Sequence, residues 1–129
     1  MRPSFPESLN LAQYFLFNRL DEGWGERTAI EYGDRVYTYA HVAQRSRALA
    51  HYWKNLGLAP ESRVYLVLPD TPPFAWSFFG ALAAGGVVAM GNPLSPRDDL
   101  AYVVDYVRAG ALVTTPAVAR RGSEQPSTL

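Results

Sequence analysis

Gly80-Ala-Leu-Ala-Ala-Gly85-Gly86-Val-Val-Ala-Met-Gly-Asn92, followed by Pro93, is the most telling stretch of the chain. The small residues through Ala84 read as the end of a closely packed helix. The glycine pair reads as a helix stop and a tight turn. Val87 to Met90 then reads as a short buried strand, and Gly91-Asn92-Pro93 as the loop beyond it. A helix that feeds directly into a buried strand belongs to an α/β layer, so the flanking segments are expected to supply the rest of one sheet.

They do so on both sides. Upstream, Val64 to Leu68 is a continuous apolar run bounded by Arg63 and Pro69, which suits a strand covered on both faces. Thr71 can cap the helix that follows, with Pro72 in its first turn, where a missing N–H costs nothing. Downstream, Pro96 and Arg97-Asp-Asp open a third helical pattern with Leu100, Val103, Val104 and Val107, and Ala111 to Thr114 reads as a third strand. Strand, helix, strand, helix, strand with short loops predicts a parallel βαβαβ sheet with flanking helices, in the α/β class. A helix and a β-hairpin are expected before it. Asn10 can cap a helix to about Leu20 with Leu11, Tyr14 and Phe15 on one face, and Thr28–Tyr32 and Arg35–Thr38 flank the two-residue turn Gly33-Asp34. Thr38 can then cap a long helix from Tyr39 to Leu56, with Val42, Ala43, Leu49, Ala50, Trp53 and Leu56 as its apolar face. Gly57 and Pro60 stop it. Residues 116–129 lack apolar periodicity and read as a flexible tail after a 1–115 domain.

Composition excludes several classes. A chain of 129 residues, 48% hydrophobic and 19% charged, is sized for one globular domain. Twelve basic and twelve acidic residues cancel, which argues against a nucleic-acid partner. Lys54 is the only lysine beside eleven arginines, a bias that codon composition explains. Without cysteine there is no disulfide and no thiolate metal site, a pattern suited to a reducing compartment. Met1-Arg-Pro-Ser-Phe-Pro-Glu is not followed by the apolar run of a signal peptide. The run from Phe78 to Met90 is broken by glycines and falls short of the roughly 20 residues of a membrane span, so no membrane partner is expected.

Candidate chemistry is sparse. A phosphate loop needs glycines between a strand and a helix N-terminus, whereas Gly85-Gly86 follows a helix and precedes a strand. Pro69-Asp-Thr-Pro-Pro73 has the right polarity for a ligand site at a strand's carboxyl end, but Pro72 and Pro73 remove N–H donors and Asp70 brings the wrong charge for a phosphate. His41 and His51 lie about 15 Å apart along one predicted helix and cannot share a metal, so both read as surface residues. Asp98 and Asp99 suit the first turn of a helix by charge alone. Phe74, Trp76, Phe78 and Phe79 read as core, with an exposed patch for a partner as the alternative.

Val36-Tyr-Thr-Tyr39, Arg63-Val-Tyr-Leu-Val-Leu-Pro69, Leu82-Ala-Ala-Gly-Gly86 and Asn92-Pro93 occur in the order and spacing of the opening of acyl-adenylate-forming enzymes. The match runs from about Asn10 to Thr115. Asn10-Leu-Ala-Gln-Tyr-Phe15 and Leu68-Pro-Asp-Thr-Pro-Pro-Phe74 are most similar to the aryl-CoA ligase branch, of which benzoate-CoA ligases are examples. The resemblance implies a partial N-terminal subdomain of a cytoplasmic ligase. Such an enzyme activates an aromatic carboxylate with ATP and Mg to an acyl-AMP and transfers the acyl group to CoA. It also implies that the phosphate loop, adenine pocket, ribose-binding aspartate and catalytic lysine lie beyond this chain, which is expected to hold no cofactor and no activity alone. Arg97, just past the Asn92-Pro93 loop, is the one candidate carried over, as a contact to a CoA phosphate. The alternative reading is a non-catalytic module that docks on a complementary ligase body or self-associates.

Overall fold

The computed structural model describes residues 2–124. Asn10 starts the helical entry, its Oδ1 accepting the backbone N–H of Ala12 at 3.0 Å and of Gln13 at 3.2 Å. The helix runs as a π-helix over Gln13–Phe17 and continues as α1 over Asn18–Asp21. The π turn corrects the expected inner face. Ala12, Leu16 and Phe17 are buried, while Leu11 and Phe15 are exposed. Bonding from i to i+5 widens the turn and shifts the buried stripe along the chain.

The hairpin forms as expected from β1, Thr28–Tyr32, and β2, Arg35–Thr38, paired antiparallel. Thr38 Oγ1 accepts the His41 N–H at 3.1 Å and caps α2, Tyr39–Asn55. The buried stripe of α2 is Val42, Ala43, Ser46, Ala50 and Trp53. Ser46 joins it without cost to hydrogen bonding because its hydroxyl donates to the Val42 carbonyl at 2.8 Å. Leu56, expected on this face, is exposed, since the chain has already left the helix there.

The sheet comprises β3, Arg63–Val67, β4, Val87–Met90, and β5, Ala109–Thr114, all parallel in the order β4-β3-β5. The connections are α3, Pro72–Ala83, and α4, Arg97–Tyr106. This is the predicted βαβαβ sheet. Val64 and Leu66 of the central strand face Phe74 and Phe78 of α3 and Trp53 of α2. Val67 on the opposite face lies beneath Leu100 and Val104 of α4. The two helices therefore cover opposite sides of the sheet, as right-handed crossovers to opposite edges require.

Gly85, at φ +83°, turns the chain out of α3, and Gly86 then passes close to the Ala81 and Ser62 carbonyls, where a Cβ would lie 3.1 and 3.2 Å away. The structural reading of this pair is the one observed. The aromatic residues of α3 divide between two cores. Phe74 and Phe78 join the sheet, and Trp76 and Phe79 join a second cluster with Ala12, Leu16, Phe17, Val42 and the hairpin.

Beyond Thr115 the structure departs from the expected tail. Pro116–Glu124 is a helix, α5. The Thr115 hydroxyl accepts the Val118 N–H at 3.3 Å, and proline at the first position is compatible with a helix start. The rest of the expected tail, residues 125–129, lies outside the described residues.

Candidate functional site

A parallel sheet places its ligand crevice at the carboxyl ends of adjacent strands whose connections leave toward opposite faces. Here those strands are β3 and β4, which feed α3 and α4. A crevice of about 630 Å³ opens between them, lined by Leu68, Asp70, Phe74, Met90, Pro93 and Leu94 among others. Gly91, which lines the crevice, is held close from behind: the ring of buried Tyr65 occupies the space beside its backbone. Burial raises the Tyr65 phenol above its ordinary value of 10.0. The Asn92 side chain shapes the far wall, accepting the Leu94 N–H at 2.9 Å.

The turn after β3 offers a nucleotide phosphate no backbone donor over residues 71–74. Pro72 and Pro73 have no N–H. The Thr71 N–H is held by the Pro69 carbonyl at 2.8 Å and the Phe74 N–H by the Thr71 carbonyl at 2.9 Å, so no donor across 71–74 faces outward. The Thr71 position is that of a cap, but its hydroxyl caps nothing: Oγ1 donates weakly to the Pro69 carbonyl at 3.4 Å. In the opposite loop the Gly91 N–H bonds the Leu66 carbonyl and the Ser95 N–H bonds the Asn92 carbonyl, at 2.9 and 3.0 Å. With the N–H groups of Thr71, Phe74, Gly91 and Ser95 engaged, Leu68, Phe74, Met90 and Leu94 on its walls and Asp70 in its lining, the crevice suits an apolar group better than an anion.

Arg97 lies on the other side of the Asn92-Pro93 loop, half-buried in the first turn of α4. It lines a groove of about 450 Å³ between α4, β5 and α5, together with Val67, Leu100, Val104, Leu112 and Arg121. Arg121, in the segment expected to be a tail, donates to the Pro93 carbonyl and ties α5 to the loop. Only the Thr115-Pro116 start signal could have pointed to it. The structure thus brings two guanidinium groups to one groove beside the loop. Asp98 and Asp99 stand exposed in the first turn of α4, where Pro96 supplies no side-chain cap.

The histidines are not brought together. His51 is exposed, whereas His41 stacks on Trp76 at 6.1 Å between ring centroids and meets Tyr37 edge-on. Arg45 reaches over the same indole at 5.9 Å. His41 is thus an aromatic packing residue rather than the surface residue expected. Among the described residues no group of three or more histidine, cysteine or acidic side chains could hold a metal ion, and no helix is long and apolar enough to cross a membrane.

Comparison with known proteins places this geometry. The sequence model of the family described as AMP-binding enzyme matches residues 17–128. Over 91 residues the chain is 36% identical to 4-coumarate–CoA ligase 1 of Solanum tuberosum, covering 69% of this chain and 16% of the ligase. It is 29% identical over 109 residues to a linear gramicidin synthase of Brevibacillus parabrevis, covering 84% of this chain and 2% of the synthase. Among solved structures, a benzoate CoA ligase from Burkholderia xenovorans LB400 superposes with a TM-score of 0.81 at 31% identity, over 90% of this chain and 23% of the ligase. The chain therefore spans a small part of the length of the proteins it matches.

Proposed function

Because this chain belongs to the AMP-binding enzyme family, we propose that residues 1–115 are the opening segment of an aryl-CoA ligase. The whole ligase activates an aromatic carboxylate with ATP and Mg to an acyl-AMP and then transfers the acyl group to CoA. The observation that carries this reading is the agreement with the benzoate CoA ligase in both fold and sequence. The 4-coumarate–CoA ligase match supports the same branch. By this reading the chain alone is inactive. Its crevice lacks outward donors for phosphate, and charge stabilisation of that kind supplies much of such catalysis.

The role proposed for Arg97 is a contact to a phosphate of CoA. Its place in the groove beside the loop, with Arg121 nearby, supports an anion there. A chimera tests both points. Residues 10–115 of this chain replace the corresponding segment of the benzoate CoA ligase. The chimera is expected to retain benzoate-dependent pyrophosphate release. Arg97→Ala within it is expected to raise the KM for CoA about tenfold while leaving that release unchanged. A folded chimera that releases no pyrophosphate would sink the ligase reading, and an unchanged KM would sink the role of Arg97.

The second reading is a module that docks on a complementary body or on a second copy. It starts from the observation that, among the described residues, β4 and β5 each pair on one side only, which the first reading equally expects of a sheet continued by the rest of a ligase.

A further inference from the structure

The inner face of the hairpin runs on past the core it helps to build. Ile30 opposes Tyr37 and Tyr32 opposes Arg35 across the two strands, so all four share one face. Ile30 and Tyr37 pack with Trp76 in the second core cluster. Tyr32 and Arg35, one step nearer the turn, reach the start of α3 instead. Between them and the Thr71-Pro72-Pro73 turn lies a crevice of about 520 Å³, in the size range of small-molecule sites. It shares no lining residue with the crevice at the strand ends. Its wall is aromatic and already fixed. Tyr37 meets Trp76 edge-on at 5.7 Å between centroids, and His41 packs against both rings. Its polar groups are unspent. Among the described residues Asp34 and Arg35 form no ion pair, and the Thr71 hydroxyl oxygen accepts no N–H.

We propose that this crevice binds a zwitterionic aromatic amino acid, of which phenylalanine is the simplest. The ring lies against Tyr32, Tyr37 and Trp76, where flat apolar surface is already held in place. The Arg35 guanidinium donates to the carboxylate. Asp34 and the Thr71 hydroxyl oxygen accept from the ammonium group. One charge of each sign in the crevice meets its opposite on the ligand. An aromatic acid leaves Asp34 unanswered and an aromatic amine leaves Arg35 unanswered, so each is selected against. Asp34 and Arg35 are exposed, and exposed charge pairs contribute little. The expected Kd is therefore on the order of 1 mM.

This inference goes beyond the ligase reading and does not depend on it. Pyrophosphate release by the chimera tests that reading, whereas binding to the 129-residue chain tests this one, so the two can fail separately. The experiment is an NMR titration of the isotope-labelled chain with L-phenylalanine, phenethylamine, phenylpropanoate and alanine. Phenylalanine is expected to give saturable shifts at the Trp76 indole N–H and at the amides of residues 32–37. Phenethylamine, which lacks the carboxylate, and phenylpropanoate, which lacks the ammonium group, are each expected to bind about fivefold more weakly. Alanine, which lacks the ring, is expected not to bind. Arg35→Gln is expected to erase the advantage of phenylalanine over phenethylamine, and Asp34→Asn its advantage over phenylpropanoate. The ligand series on the unmodified chain stands even if a variant unfolds. No saturable shift by about 20 mM phenylalanine, shifts centred on Phe74 and Met90 instead, or phenethylamine or phenylpropanoate binding as tightly as phenylalanine would each overturn the proposal.

Discussion

At residue 91 the chain has no side chain because Tyr65 already fills the space. A Cβ built there would overlap the Tyr65 hydroxyl and lie 2.7 Å from Cζ, and the ring, only 2% exposed, has nowhere to go. Gly91→Ala is therefore expected to lose about 2 kcal/mol, by overpacking. Urea denaturation checks this, and Tyr65→Ala combined with Gly91→Ala should cost less than the two changes summed. The Tyr65 phenol makes a second prediction. Burial disfavours the charged phenolate, so its folded pKa lies above the unfolded value of 10.0. The neutral group's contribution is complete below that value and is lost as pH rises through the folded pKa, because the unfolded chain sheds its proton first. Tyr65→Phe is expected to flatten the alkaline limb of the stability profile above about pH 10 while leaving the neutral region's slope unchanged. Neither feature is visible in the sequence. Tyr65 reads only as one member of an apolar run, and Gly91 only as a loop residue, because their contact is made by strand pairing between distant positions.

At the scale of elements, the pairing of α2 with α3 depends on Gly80. A Cβ there would sit 3.0 Å from the Ser46 carbonyl oxygen and 3.2 Å from Leu49 Cβ, so the helices approach backbone to side chain. Gly80→Val should force them apart and cost about 2–3 kcal/mol. A thermal melt that stays within about 0.5 kcal/mol of the parent would refute this account. The sheet strands and the helices between them were legible because each apolar run is bounded by residues with one local meaning. Arg63 and Pro69 bracket β3, and Gly85-Gly86 separates α3 from β4. The errors fell where periodicity gives way to something it does not encode. The π turn moved the inner face of the first helix from Leu11 and Phe15 to Ala12, Leu16 and Phe17. At Thr71, consecutive prolines left the hydroxyl without an N–H to accept at the first two helical positions. In α5, a polar sequence without apolar periodicity gave no sign of the helix that starts at Pro116 and that Arg121 anchors to the Pro93 carbonyl.

For the whole molecule, the candidate site was legible in part. The polarity of the turn after β3 and its lack of donors followed from sequence, whereas the grooves on either side of the Asn92-Pro93 loop needed three elements in place. The 129-residue chain alone is expected to show no acid-dependent ATP–pyrophosphate exchange with benzoate, anthranilate or 4-coumarate, and no rise in Tm with ATP, since a ligand stabilises only a state that binds it. Exchange above a no-enzyme control, or a rise in Tm with ATP, would show that the described crevice holds more than its donors suggest.

The π-helical turn at Gln13–Phe17 carries one more consequence, which concerns descent. A single π turn absorbs one residue more than an α turn over the same rise, so it is how a helix accommodates an insertion without disturbing what lies on either side. Asn10 holds one end by its cap and α1 the other, so the extra residue is confined between them. A homologue one residue shorter before Asp21 could therefore keep the counterparts of Ala12, Leu16 and Phe17 buried in an ordinary α-helix. An alignment gap between such chains belongs inside Gln13–Phe17, and not in the loop after Asp21 where gaps are conventionally placed.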